Sequence, residues 1–323
     1  MLIRAILFGL AWVLLSALQC YTQAWKPGVK DYNYTQIADA AALRRGTLNY
    51  TDATGANLTA YVSYSNTSSQ PRPAVIVVPD YDGIGNYERW RADLLASLGY
   101  VGFVADIYNN SVAQGPALPE ANRFAAMAIY NGNLTLLHSR LLGALATVRK
   151  HPQVQADRVA AIGYCFGGAA VIEFARLWPN TPGLQGVASF HGSPLVRNSS
   201  TFKPGTNVSV AIFNGYDDSG AGVSAKAKAE VQAELEGANA TWSFTDYSHT
   251  AHAFTLPSNP LWTSGPAPQS AYSPWADRQS WWALRSFLLT VFDLGNLTNP
   301  YTSAGGVTYD YNSPFIGSAP ATS

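Results

Sequence analysis

Cysteine is nearly absent from this sequence. Its 323 residues hold two, Cys20 and Cys165. Cys20 lies in a segment expected to be removed, which leaves Cys165 without a disulfide partner and without a resolving thiol for redox chemistry. Charge is scarce as well, at 12% of residues, about half the usual share. Twenty basic and twenty acidic residues cancel, and no basic block occurs, which excludes nucleic acid and anionic membranes as partners. After the first twenty residues no apolar run reaches spanning length, so no membrane span is expected once that segment is gone. Internal repeats, heptads and a G-x-G-x-x-G dinucleotide loop are all missing.

What is present begins with a secretory signal. Arg4 precedes fourteen mostly apolar residues, Ala5 to Leu18, and then small and polar ones. Thr22-Gln23-Ala24 fits the small-x-small pattern, so residues 1–24 read as a signal peptide cut after Ala24. Behind it stand ten Asn-x-Ser/Thr acceptors: Asn33, Asn49, Asn57, Asn66, Asn109, Asn133, Asn198, Asn207, Asn239 and Asn296. Together they point to a eukaryotic glycoprotein secreted through the endoplasmic reticulum, its scarce surface charge supplemented by sugar. The plainer account is that Asn- and Thr-rich loops generate some of these patterns by chance.

With 47% apolar residues the chain can fill one large core. Residues 25–40 read as an N-terminal arm, 41–293 as one domain, and 294–323 as a Gly/Ser/Thr/Pro-rich tail. Leu48–Thr51 and Leu58–Ser65 alternate as a hairpin around "DATGAN". The short continuous apolar run "AVIVVP" (74–79) reads as a strand buried on both faces, and "YVGFVAD" (100–106), "RVAAIG" (158–163), "GVASFHG" (186–192), "VSVAIFNG" (208–215) and "TWSFTDY" (241–247) read as further strands. Between them lie helical patterns at 87–98, 120–150 with a break near Asn131-Gly132, 168–177 and 224–236, and one more at 275–292 closes the domain. Strands alternating with helices predict an α/β fold, a mostly parallel sheet with helices on both faces.

In such sheets chemistry collects at the carboxyl ends of the strands. "GYCFGG" (163–168) fits G-x-nucleophile-x-G with strand before and helix after, the turn that thrusts a nucleophile out at a helix N-terminus. The positive end of the helix dipole favours thiolate there, which would explain a lone cysteine. The acid and the histidine of such an enzyme should follow at later strand ends, in that order. Asp217 and Asp218 end one strand, and His249 and His252 follow the next. His191, which ends a strand near the site, reads as a hydrogen-bonded wall residue, His138 and His151 as helix residues away from it, and Trp281-Trp282 as core packing.

These motifs resemble those of the dienelactone hydrolase family, from roughly residue 40 to 292. "GYCFGG" resembles its cysteine elbow, "NGYDD" its strand-end acid, which selects Asp218, and "AHAF" its histidine motif, which selects His252. "VVPDYDG" resembles the segment whose carboxylate meets the resting thiol, here Asp80, where the family usually has the longer Glu. "ADIY" (105–108) resembles its Asp-x-Tyr strand end. The resemblance implies an α/β-hydrolase fold and a carboxylic-ester hydrolase with a Cys165-Asp218-His252 triad, needing neither metal nor cofactor. The backbone N–H groups of Phe166 and Tyr81 would hold the oxyanion. The family's carboxylate-gripping arginines are replaced by Asn110 and Leu256, so a neutral small ester or lactone is the expected substrate unless Arg89, Arg91 or Arg123 reaches the pocket. The alternative is a secreted glycoprotein binding module that keeps the fold with little catalysis.

Overall fold

The computed structural model describes residues 42–109, 120–197, 200–220, 222–293 and the pairs 301–302 and 308–309. The expected signal peptide, the N-terminal arm, most of the tail, Asn110 and the sequon residues Asn33, Asn198 and Asn296 lie outside the described residues. Eight strands form one sheet: β1 Leu43–Thr51, β2 Asn57–Ser65, β3 Arg72–Val78, β4 Val101–Val104, β5 Val154–Tyr164, β6 Leu184–Phe190, β7 Ser209–Gly215 and β8 Trp242–Tyr247. Their spatial order is β1-β2-β4-β3-β5-β6-β7-β8. β1 and β2 form an antiparallel hairpin, β2 meets β4 antiparallel, and every pair from β4 onward is parallel.

Continuous apolar runs give the central strands because both faces are covered. In β3, Ala74, Ile76 and Val78 pack into one core, and Val75 and Val77 into the other; all five are fully buried. Burying one such side chain stabilises the fold by about 1.5–3 kcal/mol. Helices α1 Asn86–Ser97 and α6 Pro274–Asp293 cover one face. Helices α3 Leu134–Val148, α4 Phe166–Arg176 and α5 Ala225–Gly237 cover the other. α2, Glu120–Gly132, is separated from α3 at Asn133, whose side chain accepts the Leu136 N–H at 3.0 Å and caps α3. The expected break near Asn131-Gly132 is therefore a helix start with its own cap.

Some boundaries differ from the sequence reading. β5 begins at Val154 rather than Arg158, because Val154 already pairs with Arg72 before a register shift. α4 begins at Phe166 rather than Gly168, so two glycines fall inside its first turn. His151 stands in the turn after α3, not on a helix, with its ring edge-on to Tyr64 at 5.5 Å. Of the tryptophan pair only Trp281 packs against the core; Trp282 remains exposed beside Arg285.

The face between α1 and α6 holds an ion pair that no periodicity announced. Arg91 and Asp277 are both about 1% exposed and meet at 2.7 Å. Arg91 also donates to Tyr87 Oη and to the Thr255 carbonyl, and its guanidinium lies 4.6 Å from the Trp90 ring centre. Burial holds Asp277 up at about 6 although Arg91 pulls it down. Removing either partner would strand a buried charge, which is why such pairs are costly to break.

Candidate active site

The site is assembled from the carboxyl ends of β3, β5, β6, β7 and the loop after β8. Cys165 sits between β5 and α4 with φ 53 and ψ −116, a backbone region that non-glycine residues rarely occupy. The turn is possible only because the chain passes within contact of itself. A Cβ on Gly163 would lie 2.0 Å from the Gly167 oxygen, and one on Gly167 would lie 2.2 Å from the Val78 oxygen. Strain of this kind persists where the surroundings over-determine it. The cysteine is free and partly exposed, as a nucleophile must be.

Two later loops bring their side chains to that sulfur. Nε2 of His252 is 3.1 Å from Cys165 Sγ. Nδ1 of the same ring is 2.8 Å from Asp218 Oδ2, while Asp218 Oδ1 accepts the Gly220 N–H at 2.7 Å. Three groups separated by 34 and 87 positions in the chain thus stand in one line. Burial alone would push the His252 imidazole down. The Cys165 sulfur, and then Asp218, reverse that and take it up to about 10. The arrangement favours a positive imidazole between the sulfur and the carboxylate.

The alternatives left open by the sequence are separated by position. Asp217 is partly exposed, and its N–H donates to the Thr250 carbonyl. His249 is exposed and stacks on Trp262, with ring centres 3.8 Å apart. His138 pairs with the buried Glu173 on the helical face. Only Asp218 and His252 reach the sulfur's line.

The loop after β3 supplies the opposite wall. Tyr108 Oη, from the "ADIY" strand end, donates to the Asp80 carbonyl at 2.9 Å, and its ring packs on Phe166 with centres 5.6 Å apart. This ties the loop carrying Tyr81 to the first residue of α4. Among the described residues no group accepts the N–H of Tyr81 or of Phe166.

Asp80 lies near enough to Cys165 for the sulfur's charge to act on its carboxyl, without a hydrogen bond to Sγ among the described residues. Its Oδ1 accepts the Asp82 N–H at 3.0 Å, and the hydrogen-bond partner of Cys165 Sγ is His252. Aspartate is one methylene shorter than glutamate, and its hydrogen bond is made within its own loop. There Asp80, Asp82 and Glu88 bring one oxygen each within 4.8 Å of one another, the group among the described residues that could hold a metal. Burial and then Asp82 push Asp80 well up, and the same two causes take Glu88 up to about 8. A cation would have to displace the proton that Glu88 holds near neutral pH. Asp82 is 3.7 Å from Arg123.

Of the three arginines that could replace the family's grip, Arg89 lies over the Tyr61 ring, 6.0 Å from its centre, and the other two meet carboxylates. Arg91 is buried on Asp277, and Arg123 faces Asp82. Leu256 packs against the α1/α6 core. Tyr87, Tyr108 and Thr255 belong to the site's support and were not assigned to it from sequence. For Tyr108 the Asp-x-Tyr pattern was a signal; for Tyr87 and Thr255 there was none, because their contact spans 168 positions.

A family model described as "Dienelactone hydrolase family" matches residues 58–292. A Bradyrhizobium protein described as a probable 2-oxo-3-(5-oxofuran-2-ylidene)propanoate lactonase is 28% identical over 188 residues, 56% of this chain and 73% of that protein. An uncharacterised protein of Caenorhabditis elegans is 27% identical over 157 residues, 48% of this chain and 94% of its own. Among solved structures, a dienelactone hydrolase-like promiscuous phosphotriesterase from metagenomic libraries has a TM-score of 0.66 at 27% identity, over 78% of this chain and 99% of that one.

Proposed function

The chain belongs to the dienelactone hydrolase family, and from that premise we propose that it hydrolyses small neutral esters or lactones through a Cys165-His252-Asp218 relay. The observation that carries the proposal is the line from Asp218 through His252 to Cys165, at 2.8 and 3.1 Å. A binding module would have no use for it. In the proposed reaction the Cys165 sulfur attacks the carbonyl carbon, and the carbonyl oxygen becomes an oxyanion held by the N–H groups of Phe166 and Tyr81. His252 gives its Nε2 proton to the leaving oxygen, and the C–O bond breaks to leave a thioester. The neutral imidazole then takes a proton from water, whose oxygen attacks the thioester. Collapse of that adduct releases the acid and returns the sulfur and imidazole to their starting state. Asp218 keeps the proton on Nδ1 throughout and stabilises the charged ring.

The preference for neutral substrates rests on what surrounds the sulfur. Leu256 cannot bind a carboxylate, Arg91 is spent on Asp277, and Arg123 faces Asp82. A substrate carboxylate would need a bidentate arginine that these residues do not supply. In a panel of aryl esters, enol lactones and a phosphotriester, each matched acid and amide pair should show kcat/KM at least about 10-fold higher for the amide, the size of one lost charge-assisted contact. A preference for the acid would mean that an arginine moves into the pocket on binding and would overturn this reading.

Secretion as a glycoprotein is part of the same proposal. It is supported by the leader-like residues 1–24 and by the exposure of Asn49, Asn57, Asn66, Asn109, Asn133, Asn207 and Asn239. Asn49 and Asn133 use their side-chain oxygens internally, toward Thr59 and Leu136, so the other five are the better acceptors. Protein recovered from the medium of a eukaryotic host should lose mass on treatment with peptide N-glycosidase. Retention inside the cell with an intact leader and no mass change would refute it.

A further inference from the structure

We propose that His191 is a positioning residue for the nucleophile: it holds the backbone of Cys165 by accepting its N–H, and Thr255 keeps the imidazole in the tautomer that can do so. The proposal rests on the functional reading above and adds a residue to its machinery.

The elbow is tied at both of its backbone groups to residues 190–193. The Cys165 N–H is 3.0 Å from the Phe190 oxygen and 3.0 Å from His191 Nδ1. The Cys165 carbonyl accepts from Ser193 N–H at 3.3 Å. Because Nδ1 accepts, the ring proton sits on Nε2, which donates to Thr255 Oγ1 at 2.8 Å. That hydroxyl pairs with Tyr87 Oη at 2.7 Å, and Arg91 donates both to Tyr87 Oη and to the Thr255 carbonyl. A chain of hydrogen bonds thus runs from the nucleophile's own peptide to the buried Arg91-Asp277 pair, anchoring a strained turn on α1 and α6.

His191 is fully buried. Around it stand the His252 ring, edge-on at 5.2 Å, Phe254 at 5.3 Å and Tyr164 at 6.0 Å, with Arg91 beyond. Burial, then the charge of His252, then that of Arg91 hold its imidazole well below the usual range, so the ring stays neutral and Nδ1 stays an acceptor. Withholding the Cys165 N–H in this way directs it inward and leaves the Phe166 N–H as the elbow's donor to the oxyanion. A shift of about 1 Å in the nucleophile is enough to cost about 100-fold in rate.

Two substitutions separate positioning from packing. The Oδ1 of asparagine overlaps the place of histidine Nδ1, so His191→Asn keeps the acceptor and discards the ring. His191→Phe keeps the ring and discards the acceptor. If His191 positions Cys165, the phenylalanine variant loses about 10–100-fold in kcat with KM changed less than about 2-fold, and the asparagine variant recovers most of that loss. If His191 only fills space, the order reverses, and the proposal is wrong. Rates are referred to alkylatable Cys165 and taken well below each melting temperature, so that unfolded protein is not counted.

Thr255→Val provides a check that leaves the ring in place. It should lower kcat several-fold alone and cost nothing further in His191→Phe, because both changes break one chain. Additive losses would contradict the tautomer role. Failure of the parent reading looks different: the wild type would then hydrolyse no ester, or Cys165→Ala would match it. In that case the rate of Cys165 alkylation by iodoacetamide still ranks the variants. Asparagine near wild type and phenylalanine slower upholds the positioning role, and the opposite ranking removes it.

Discussion

Cys165→Ala is expected to lower kcat for ester hydrolysis by about 10⁴-fold or more while the protein keeps its fold and melting temperature. The size follows from what is removed. The oxyanion donors and the His252-Asp218 pair remain, but the atom that forms the covalent bond is gone, and water must attack without it. Iodoacetamide should inactivate the wild type near neutral pH at the same residue, since the sulfur is partly exposed and faces a positive imidazole. Cys165→Ser is the more informative companion. The sulfur is the first of the influences that raise His252, and a neutral hydroxyl would not supply that charge. The serine variant should therefore have a less basic His252, and because the hydroxyl needs a neutral imidazole to take its proton, its residual activity should rise with pH through that lowered value. Full activity in Cys165→Ala, or a thiol that resists alkylation in the native protein, would falsify the covalent mechanism.

The parts of this site that could be read from the sequence are those that local geometry encodes. "GYCFGG" had to be an elbow because glycine at 163 and 167 is the only residue that lets the chain pass so close to itself. Asp218 and His252 were legible because parallel strands deliver their following loops to one edge, so the order of strand ends gave the order of the relay. The central strands were legible because burial on both faces leaves no polar residue to interrupt them. The choice between Asp217 and Asp218 was not a matter of spacing. Adjacent residues leave a loop in different directions, and only the folded loop shows that one of them bonds the backbone of its neighbours while the other meets the ring.

What stayed hidden depends on contacts far apart in the chain. His191 was legible as a hydrogen-bonded wall residue, but Thr255, Tyr87, Arg91 and Asp277, which continue its buried chain of hydrogen bonds, each alone resemble an ordinary core or surface residue. Arg91 in particular falls on an amphipathic helix, where an arginine predicts solvent; its burial is explained only by Asp277, 186 positions away. At Asp80 the motif suggested a carboxylate beside the thiol, and the Cys165 charge does act on it, but which group it hydrogen-bonds was not legible. The acid turns to the Asp82 N–H of its own loop, and the thiol is left to His252.

Asp218→Asn should reduce kcat by about 10³–10⁴-fold, whereas Asp217→Asn should change it by less than about 3-fold. Asp218 is only 7% exposed and uses both oxygens, one on His252 Nδ1 and one on the Gly220 N–H. Asparagine has nearly the same shape, so the loop can survive with its Oδ1 still accepting from Gly220. Its amide nitrogen then faces His252 and donates, which forces Nδ1 to accept and moves the ring proton to Nε2. A neutral ring in that state points a hydrogen at the sulfur and cannot take one from it. The second effect is electrostatic: Asp218 is among the groups that hold the imidazole up at about 10, and without its charge the ring loses its proton at lower pH. The positive partner of the sulfur then disappears from the upper part of the pH range first, so the loss of activity and of alkylation rate should both deepen as pH rises. Asp217 contributes its backbone N–H to Thr250, which the substitution leaves untouched. Steady-state kinetics and alkylation rates across pH on the two variants check this directly. Equal mild losses would dissolve the relay, and a larger loss at position 217 would move the acid back by one residue.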